Sequence, residues 1–114
     1  MISGTHIVLY SANAEADRAF LRDTLGFGHV DAGHGWLIFA LPPAEVAIHP
    51  ADAPKHELYL MCEDLKSEMA ALAKKGATFS ALEEARWGSI TKLRLPSGTE
   101  IGLYQPKHKT ALNL

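Results

Sequence analysis

The chain has 114 residues, 47% of them hydrophobic and 21% charged, with a formal net charge of −2. This length predicts one domain, or two small halves that share a core. The charge supplies neither a basic surface for nucleic acid nor a Lys/Arg cluster for an anionic membrane. The longest strongly apolar run, residues 36–41, is far shorter than the roughly 20 residues of a membrane span. The N-terminus lacks a basic signal segment, so a cytoplasmic location is expected. Cys62 is the single cysteine, which excludes an intrachain disulfide and a multi-cysteine metal site.

The first half of the chain is predicted to form a strand, a helix and three further strands. The β-branched and apolar run at residues 6–10 predicts the first strand. Asn13 is a candidate helix N-cap and Gly26 a left-handed stop, so a helix is expected between them. The runs FGHVDAG, GWLIFALPP and EVAIHP then predict three short strands separated by Gly and Pro.

The second half repeats this order. Residues 57–62 predict a strand, and the following helix is expected between an N-cap at Asp64 and a stop at Gly76. The runs ATFSALEE, WGSITKLRLPSG and TEIGLYQP predict three strands. The apolar stripe on the helix consists of Leu65, Met69, Leu72 and Ala73. The chain is therefore divided into module 1 (about 4–50), module 2 (about 56–106) and a short tail (107–114). A half of about 50 residues buries too little apolar surface to stand alone, so the modules must pack together or against a partner chain.

The last predicted strands of the two modules can be aligned with each other. LPPAEVAIHP (41–50) matches LPSGTEIGLYQP (95–106) when two single-residue gaps are allowed, and Ala47 then lies opposite Gly102. Both are small residues at positions where strands usually have bulkier ones. Side chains alternate across a strand, so Gly102 shares a face with Tyr104, as Glu57 does with Tyr59.

These features together resemble the vicinal oxygen chelate superfamily, which includes glyoxalase I, extradiol dioxygenases, fosfomycin-resistance enzymes and bleomycin-resistance proteins. The resemblance rests on the two β-α-β-β-β modules, the first strand that opens with His and ends in Ser-x-Asn, the helix that closes in LGF, and the last strand PSGTEIGLYQP. It covers about residues 4–106. It implies an α+β fold whose two modules form a cup-shaped curved sheet around a small-molecule ligand, and it implies a homodimer.

The resemblance also implies positions for a metal site. Metal-dependent members have one ligand at the start of each module's first strand and a carboxylate in each module's last strand. His6 fits the first position and Glu57 stands where His is common, whereas Ala47 and Gly102 replace the two carboxylates. The four-ligand site is therefore not reproduced, and the two small residues would leave room for a bound molecule. As an alternative, His49 would complete a two-His-one-carboxylate site with His6 and Glu57.

The register of the strand that carries Glu57 remains open at the sequence level. A slip of one residue would turn His56 inward instead. Counting back from the helix cap at Asp64 favours Glu57.

Two functions remain open. The first is a lyase or dioxygenase that uses one divalent ion (Fe, Mn, Ni or Zn) held by His6, Glu57 and His49, with His49 or Tyr104 transferring a proton. The second is a protein without a metal that sequesters a hydrophobic or aromatic ligand and catalyses nothing. The missing carboxylates favour the second function, and the inward His and Glu favour the first. In both cases the predicted ligand pocket consists of Tyr10, Ala47, Tyr59, Met61, Trp87 and Gly102.

Overall fold

The computed structural model describes residues 6–45, 47, 50, 52–53, 55–110 and 112. Within them it contains two helices and seven strands. In chain order these are α1 (Ala14–Asp23), β1 (His29–Asp31), β2 (Leu37–Phe39), β3 (Tyr59–Met61), α2 (Leu65–Ala73), β4 (Thr78–Phe79), β5 (Glu83–Ala85), β6 (Gly88–Arg94) and β7 (Glu100–Pro106). Strands β1 and β2 form a separate antiparallel hairpin. The other five strands form one sheet in the order β3-β7-β6-β4, with β5 also paired to β6.

The two helices have the capping residues that the sequence predicts. The Asn13 side chain accepts a hydrogen bond from the Ala16 N–H, and the Asp64 side chain accepts one from the Ser67 N–H, both at 3.2 Å. Gly26 and Gly76 follow the helices with φ of 72° and 90°, a conformation in which glycine avoids the steric cost of a Cβ. Among the described residues, neither helix has the length and apolar character needed to cross a membrane.

Module 2 contains the main core. Helix α2 packs on one face of the five-stranded sheet, and β3 pairs in parallel with β7. Within the predicted helix stripe, Leu65 and Leu72 are buried and Met69 is partly buried, whereas Ala73 is exposed. The buried core residues are Leu65, Leu72, Ala77, Leu93, Leu95, Ile101 and Leu103. Strands β4 and β5 together take the place of the single run predicted at ATFSALEE.

Module 1 is less regular than its sequence predicts. Residues 6–10 are exposed and do not form the expected strand, because no neighbouring strand among the described residues pairs with them. A strand needs the hydrogen bonds of a neighbour to be stable. In the strand predicted at 45–50, residues 46, 48 and 49 lie outside the described residues, and 45, 47 and 50 have no strand conformation.

Helix α1 connects module 1 to module 2 through Asp17, which is only 7% exposed. Its carboxylate accepts hydrogen bonds from the backbone N–H of Ser97 at 3.0 Å and from the Ser97 hydroxyl at 2.7 Å. Ser97 lies in the turn between β6 and β7, 80 residues further along the chain. Phe20 and Leu25 also pack against the core of module 2. The first helix is therefore anchored to the second module by both polar and apolar contacts.

We expect Asp17→Ala to lower the free energy of unfolding by about 1–3 kcal/mol, because it leaves the partly buried Ser97 donors without their acceptor. Urea denaturation followed by circular dichroism measures this change. Glu15→Ala is the matched control, since Glu15 lies in the same first helical turn but is exposed. Equal destabilisation by both substitutions would show that the helix dipole, and not the contact with Ser97, accounts for the loss.

Candidate functional site

The face of the five-stranded sheet opposite α2, called the open face below, carries side chains from three adjacent strands. Tyr59 on β3, Gly102 on β7 and Lys92 on β6 are direct neighbours across the sheet. The next row consists of Met61, Tyr104 and Ile90. The alternation expected from the sequence therefore places Tyr59, Gly102 and Tyr104 on one face.

The ring of Tyr59 lies over Gly102. A Cβ atom built on Gly102 would be 2.8 Å from Cγ of Tyr59 and closer still to Cδ1. An aromatic ring that packs across a glycine of the neighbouring strand compensates for the missing side chain. The expectation that Gly102 leaves room for a bound molecule was therefore wrong, because the protein's own tyrosine fills that space.

Three aromatic rings pack together on the open face, and they are called the ring cluster below: Tyr59, Trp87 and Tyr104. The ring centroids are 5.5 Å apart for Tyr59–Tyr104 and Trp87–Tyr104, and 6.3 Å apart for Tyr59–Trp87. The ring planes cross at 76–89°, an edge-to-face arrangement that is favourable for aromatic pairs. Tyr104 is 8% exposed, whereas Trp87, in the tight turn between β5 and β6, is 40% exposed. The cluster thus presents an apolar wall in which the indole of Trp87 is partly exposed to solvent.

A carboxylate lies at one edge of the ring cluster. The Tyr59 hydroxyl donates a hydrogen bond to Glu57, and the Lys55 ammonium lies 3.0 Å from the same carboxyl group. The hydrogen bond from Tyr59 lowers the pKa of Glu57, and it also raises the pKa of Tyr59 to about 12. Near neutral pH, Glu57 is therefore ionised and Tyr59 remains a donor. Of the two residues that the sequence left open, both are exposed, and Glu57 is the one that contacts the ring cluster.

A second polar group adjoins Tyr104. The Tyr104 hydroxyl lies 3.4 Å from Nε2 of His108. The same histidine nitrogen lies 3.9 Å from the carboxylate of Glu45. Burial raises the pKa of Tyr104, and the nearby Glu45 acts in the same direction. His108 belongs to the short tail that follows module 2. Since the contact depends on how the tail folds back, no local pattern in the sequence signals it.

The predicted site residues of module 1 do not join the ring cluster. His6 and Ala47 are exposed, and Tyr10 is 89% exposed. Within the part of the chain that the structure describes, no hydrogen bond, ion pair or ring contact links His6 or Tyr10 to the cluster. His49 lies outside the described residues. The structure therefore brings together the predicted residues of module 2.

The described residues do not fit the four-ligand metal site that the resemblance implies. The position of one missing carboxylate, Gly102, is covered by Tyr59, and the carboxylate of Glu57 is engaged by Tyr59 and Lys55. Within the described ranges there is no group of three or more His, Cys, Asp or Glu side chains that would hold a metal ion. The three-residue site with His49 stays a prediction, since that residue is not described.

Two clefts of about 340 and 360 Å³ occur elsewhere in the described structure. The first is lined by the start of α2 together with Ser89, Gln105 and Lys107, and the second by α1, Lys75 and the β6–β7 turn. In the first cleft, Glu84 accepts a hydrogen bond from Ser89 at 2.6 Å and pairs with Lys107 at 2.8 Å, so its charge is already compensated. Neither of these two clefts includes a ring of the cluster.

Solved structures with the same arrangement cover nearly the whole chain. A member of the glyoxalase/bleomycin resistance protein/dioxygenase superfamily from Sphaerobacter thermophilus DSM 20745 is 24% identical, with a TM-score of 0.61 over 90% of this chain and 97% of that one. The chain has the vicinal oxygen chelate fold. TnmS3, an antibiotic binding protein from Streptomyces sp. CB03234, is 26% identical with a TM-score of 0.63, over 94% of this chain and 100% of its own.

Solved structures with lower sequence identity to this chain also have the vicinal oxygen chelate fold. Lactoylglutathione lyase from Agrobacterium tumefaciens is 14% identical, with a TM-score of 0.58 over 90% of this chain and 92% of that one, and this likeness concerns the fold alone. No protein-family model and no curated protein matches the chain. The fold predicted from the duplicated modules is thus confirmed.

We expect Gly102→Ala to destabilise the protein by about 1–3 kcal/mol, because the new methyl group displaces the ring of Tyr59 from its place on the sheet. Near-UV circular dichroism should lose part of its aromatic signal, and urea denaturation gives the change in stability. Gly28→Ala is the control, since Gly28 is exposed and a Cβ there meets no atom within 4 Å. An unchanged aromatic spectrum in Gly102→Ala would contradict the packing of Tyr59 over the glycine.

Proposed function

We propose that the protein binds a small aromatic molecule against the ring cluster and sequesters it without chemical change. The observation that carries this proposal is the edge-to-face packing of Tyr59, Trp87 and Tyr104 on the open face, with the indole partly accessible. Ligand sites are typically built from apolar and aromatic walls with a few placed polar groups. Glu57 and Lys92 supply such groups beside Tyr59.

The arrangement suits binding because the rings of the wall already pack against one another without a ligand. Each ring contacts the other two, and the Tyr59 hydroxyl is tied to Glu57. A preorganised wall loses little conformational entropy on binding. TnmS3, with which the chain shares its fold at 26% identity, is an antibiotic binding protein, and this likeness supports a small-molecule ligand here.

A metal-dependent lyase or dioxygenase is the alternative function, and it has less support from the site. Of its two proposed proton-transfer residues, His49 is not described, and Tyr104 is buried beneath Trp87 with a raised pKa. The described ligand positions do not fit the four-ligand site.

A cytoplasmic location stays a prediction from the sequence.

A second copy of the chain is proposed to complete the site. Much of the exposed apolar surface belongs to module 1: Ile7, Val8, Leu9, Tyr10, Val30, Trp36 and Ile38. Covering this surface in a homodimer would give the ring cluster a facing wall.

We expect the neutral probe 2-naphthamide to quench the fluorescence of Trp87 in a saturable way. The measurement uses a Trp36→Phe background, so that Trp87 alone reports. By calorimetry, Trp87→Ala should bind the probe about tenfold more weakly, because it loses the stacking surface of the indole. Unchanged affinity in Trp87→Ala would move the site away from the ring cluster.

Native mass spectrometry tests the dimer and the metal together. We expect a species of about twice the 12.4 kDa chain mass, and no bound ion after expression with Fe, Mn, Ni or Zn supplementation. A monomer at micromolar concentration would contradict the homodimer. One tightly bound divalent ion per chain would favour the enzyme over the sequestering protein.

A further inference from the structure

Lys92 lies in the middle of the open face, beside Tyr59. It occupies the same row as Tyr59 and Gly102, and its ammonium lies 4.8 Å from the centroid of the Tyr59 ring. The side chain is partly buried. Among the described residues, no carboxylate oxygen lies within 4.0 Å of this ammonium, and it donates no hydrogen bond to them. Lys92 thus contacts the aromatic face of Tyr59 and attracts Glu57 only from a longer distance, where it contributes to the lowered pKa of that carboxyl group.

Nearby carboxylates are already engaged by other groups. Glu57 accepts the hydrogen bond from Tyr59 and pairs with Lys55 at 3.0 Å. Glu100 pairs with Arg94 at 3.4 Å. The positive charge of Lys92 therefore lies beside the ring cluster without an ion-paired carboxylate in the described structure. A cation–π contact with a tyrosine compensates only part of the cost of removing an ammonium from water.

We propose that Lys92 makes the site select aromatic molecules that carry an anionic oxygen, such as a carboxylate or a phenolate. This inference rests on the proposed function, because it requires that an aromatic ligand stacks on the ring cluster. A ring that packs against Trp87 and Tyr59 would bring its substituents close to the ammonium, where an anionic oxygen would form a charge-assisted hydrogen bond. An aromatic cation at the same place would be repelled by Lys92.

Gly102 makes this arrangement possible. It separates Tyr59 from Lys92 in the row, and its lack of a side chain allows the tyrosine ring and the ammonium to meet above the strand. The glycine that removes a metal-ligand position therefore also creates an aromatic surface with an adjacent positive charge.

Three probes with the same ring system and different charge test this inference: 2-naphthoate, 2-naphthamide and 2-naphthylmethylammonium. Dissociation constants are measured by fluorescence of Trp87 in the Trp36→Phe background and by calorimetry. We expect the naphthoate to bind about tenfold more tightly than the amide, and the cation to bind most weakly. Added salt should reduce the preference for the naphthoate without changing the affinity for the amide.

Substitutions of Lys92 separate its charge from the structure of the site. Lys92→Met should remove the preference for the naphthoate over the amide, and Lys92→Arg should retain it. Lys66→Met is the matched control, because this exposed lysine belongs to α2 on the other side of the sheet. Circular dichroism establishes that each variant is folded, and a Lys92→Met protein that does not fold leaves the decision to the probe series and to Lys92→Arg.

The outcomes distinguish the inference from the proposed function. If the unsubstituted protein binds the amide and the naphthoate equally, or prefers the cation, the role of Lys92 is overturned and aromatic binding stands. A preference for the naphthoate that survives in Lys92→Met also overturns it. If none of the three probes binds, both the proposed function and the inference are wrong.

Discussion

The position of the Tyr59 ring over Gly102 governs the chemistry of the open face. A side chain on Gly102 would collide with the ring, and a ring placed elsewhere would leave a bare glycine in the middle of a strand. In this position the Tyr59 hydroxyl donates a hydrogen bond to Glu57, and the ring packs edge-to-face with Trp87 and Tyr104. The ammonium of Lys92 lies against the same ring. One glycine thereby converts a possible ligand position for a metal ion into part of an aromatic surface.

The two modules have similar sequence patterns but different structural roles. Module 2 forms a complete sheet with α2 as its cover, and it holds the ring cluster. Module 1 contributes α1, which Asp17 fixes to the β6–β7 turn, and a hairpin whose apolar side chains remain partly exposed. These exposed apolar side chains support the proposed homodimer, in which a second copy would cover them.

Binding and catalysis place different demands on such a site. Catalysis by a bound ion needs ligands with free lone pairs and an open coordination position. Here the carboxylate of Glu57 is shared between Tyr59 and Lys55, and the lowered pKa of Glu57 reflects those contacts. Binding needs a rigid apolar surface and one or two polar groups that orient the ligand. The ring cluster and Lys92 meet the requirements for binding.

The sequence by itself determined the features that depend on neighbours along the chain. Asn13 and Asp64 as helix caps, Gly26 and Gly76 as helix stops, and the shared face of Gly102 and Tyr104 all follow from local geometry, and the duplicated pattern indicated the fold. Only the tertiary structure decided which strands are neighbours and in which register. The row of Tyr59, Gly102 and Lys92, the contact of Asp17 with Ser97 and the contact of Tyr104 with His108 depend on that choice, as does the absence of a strand at residues 6–10. The physical reason is that the packing of the whole core sets strand register, and no short segment contains that information.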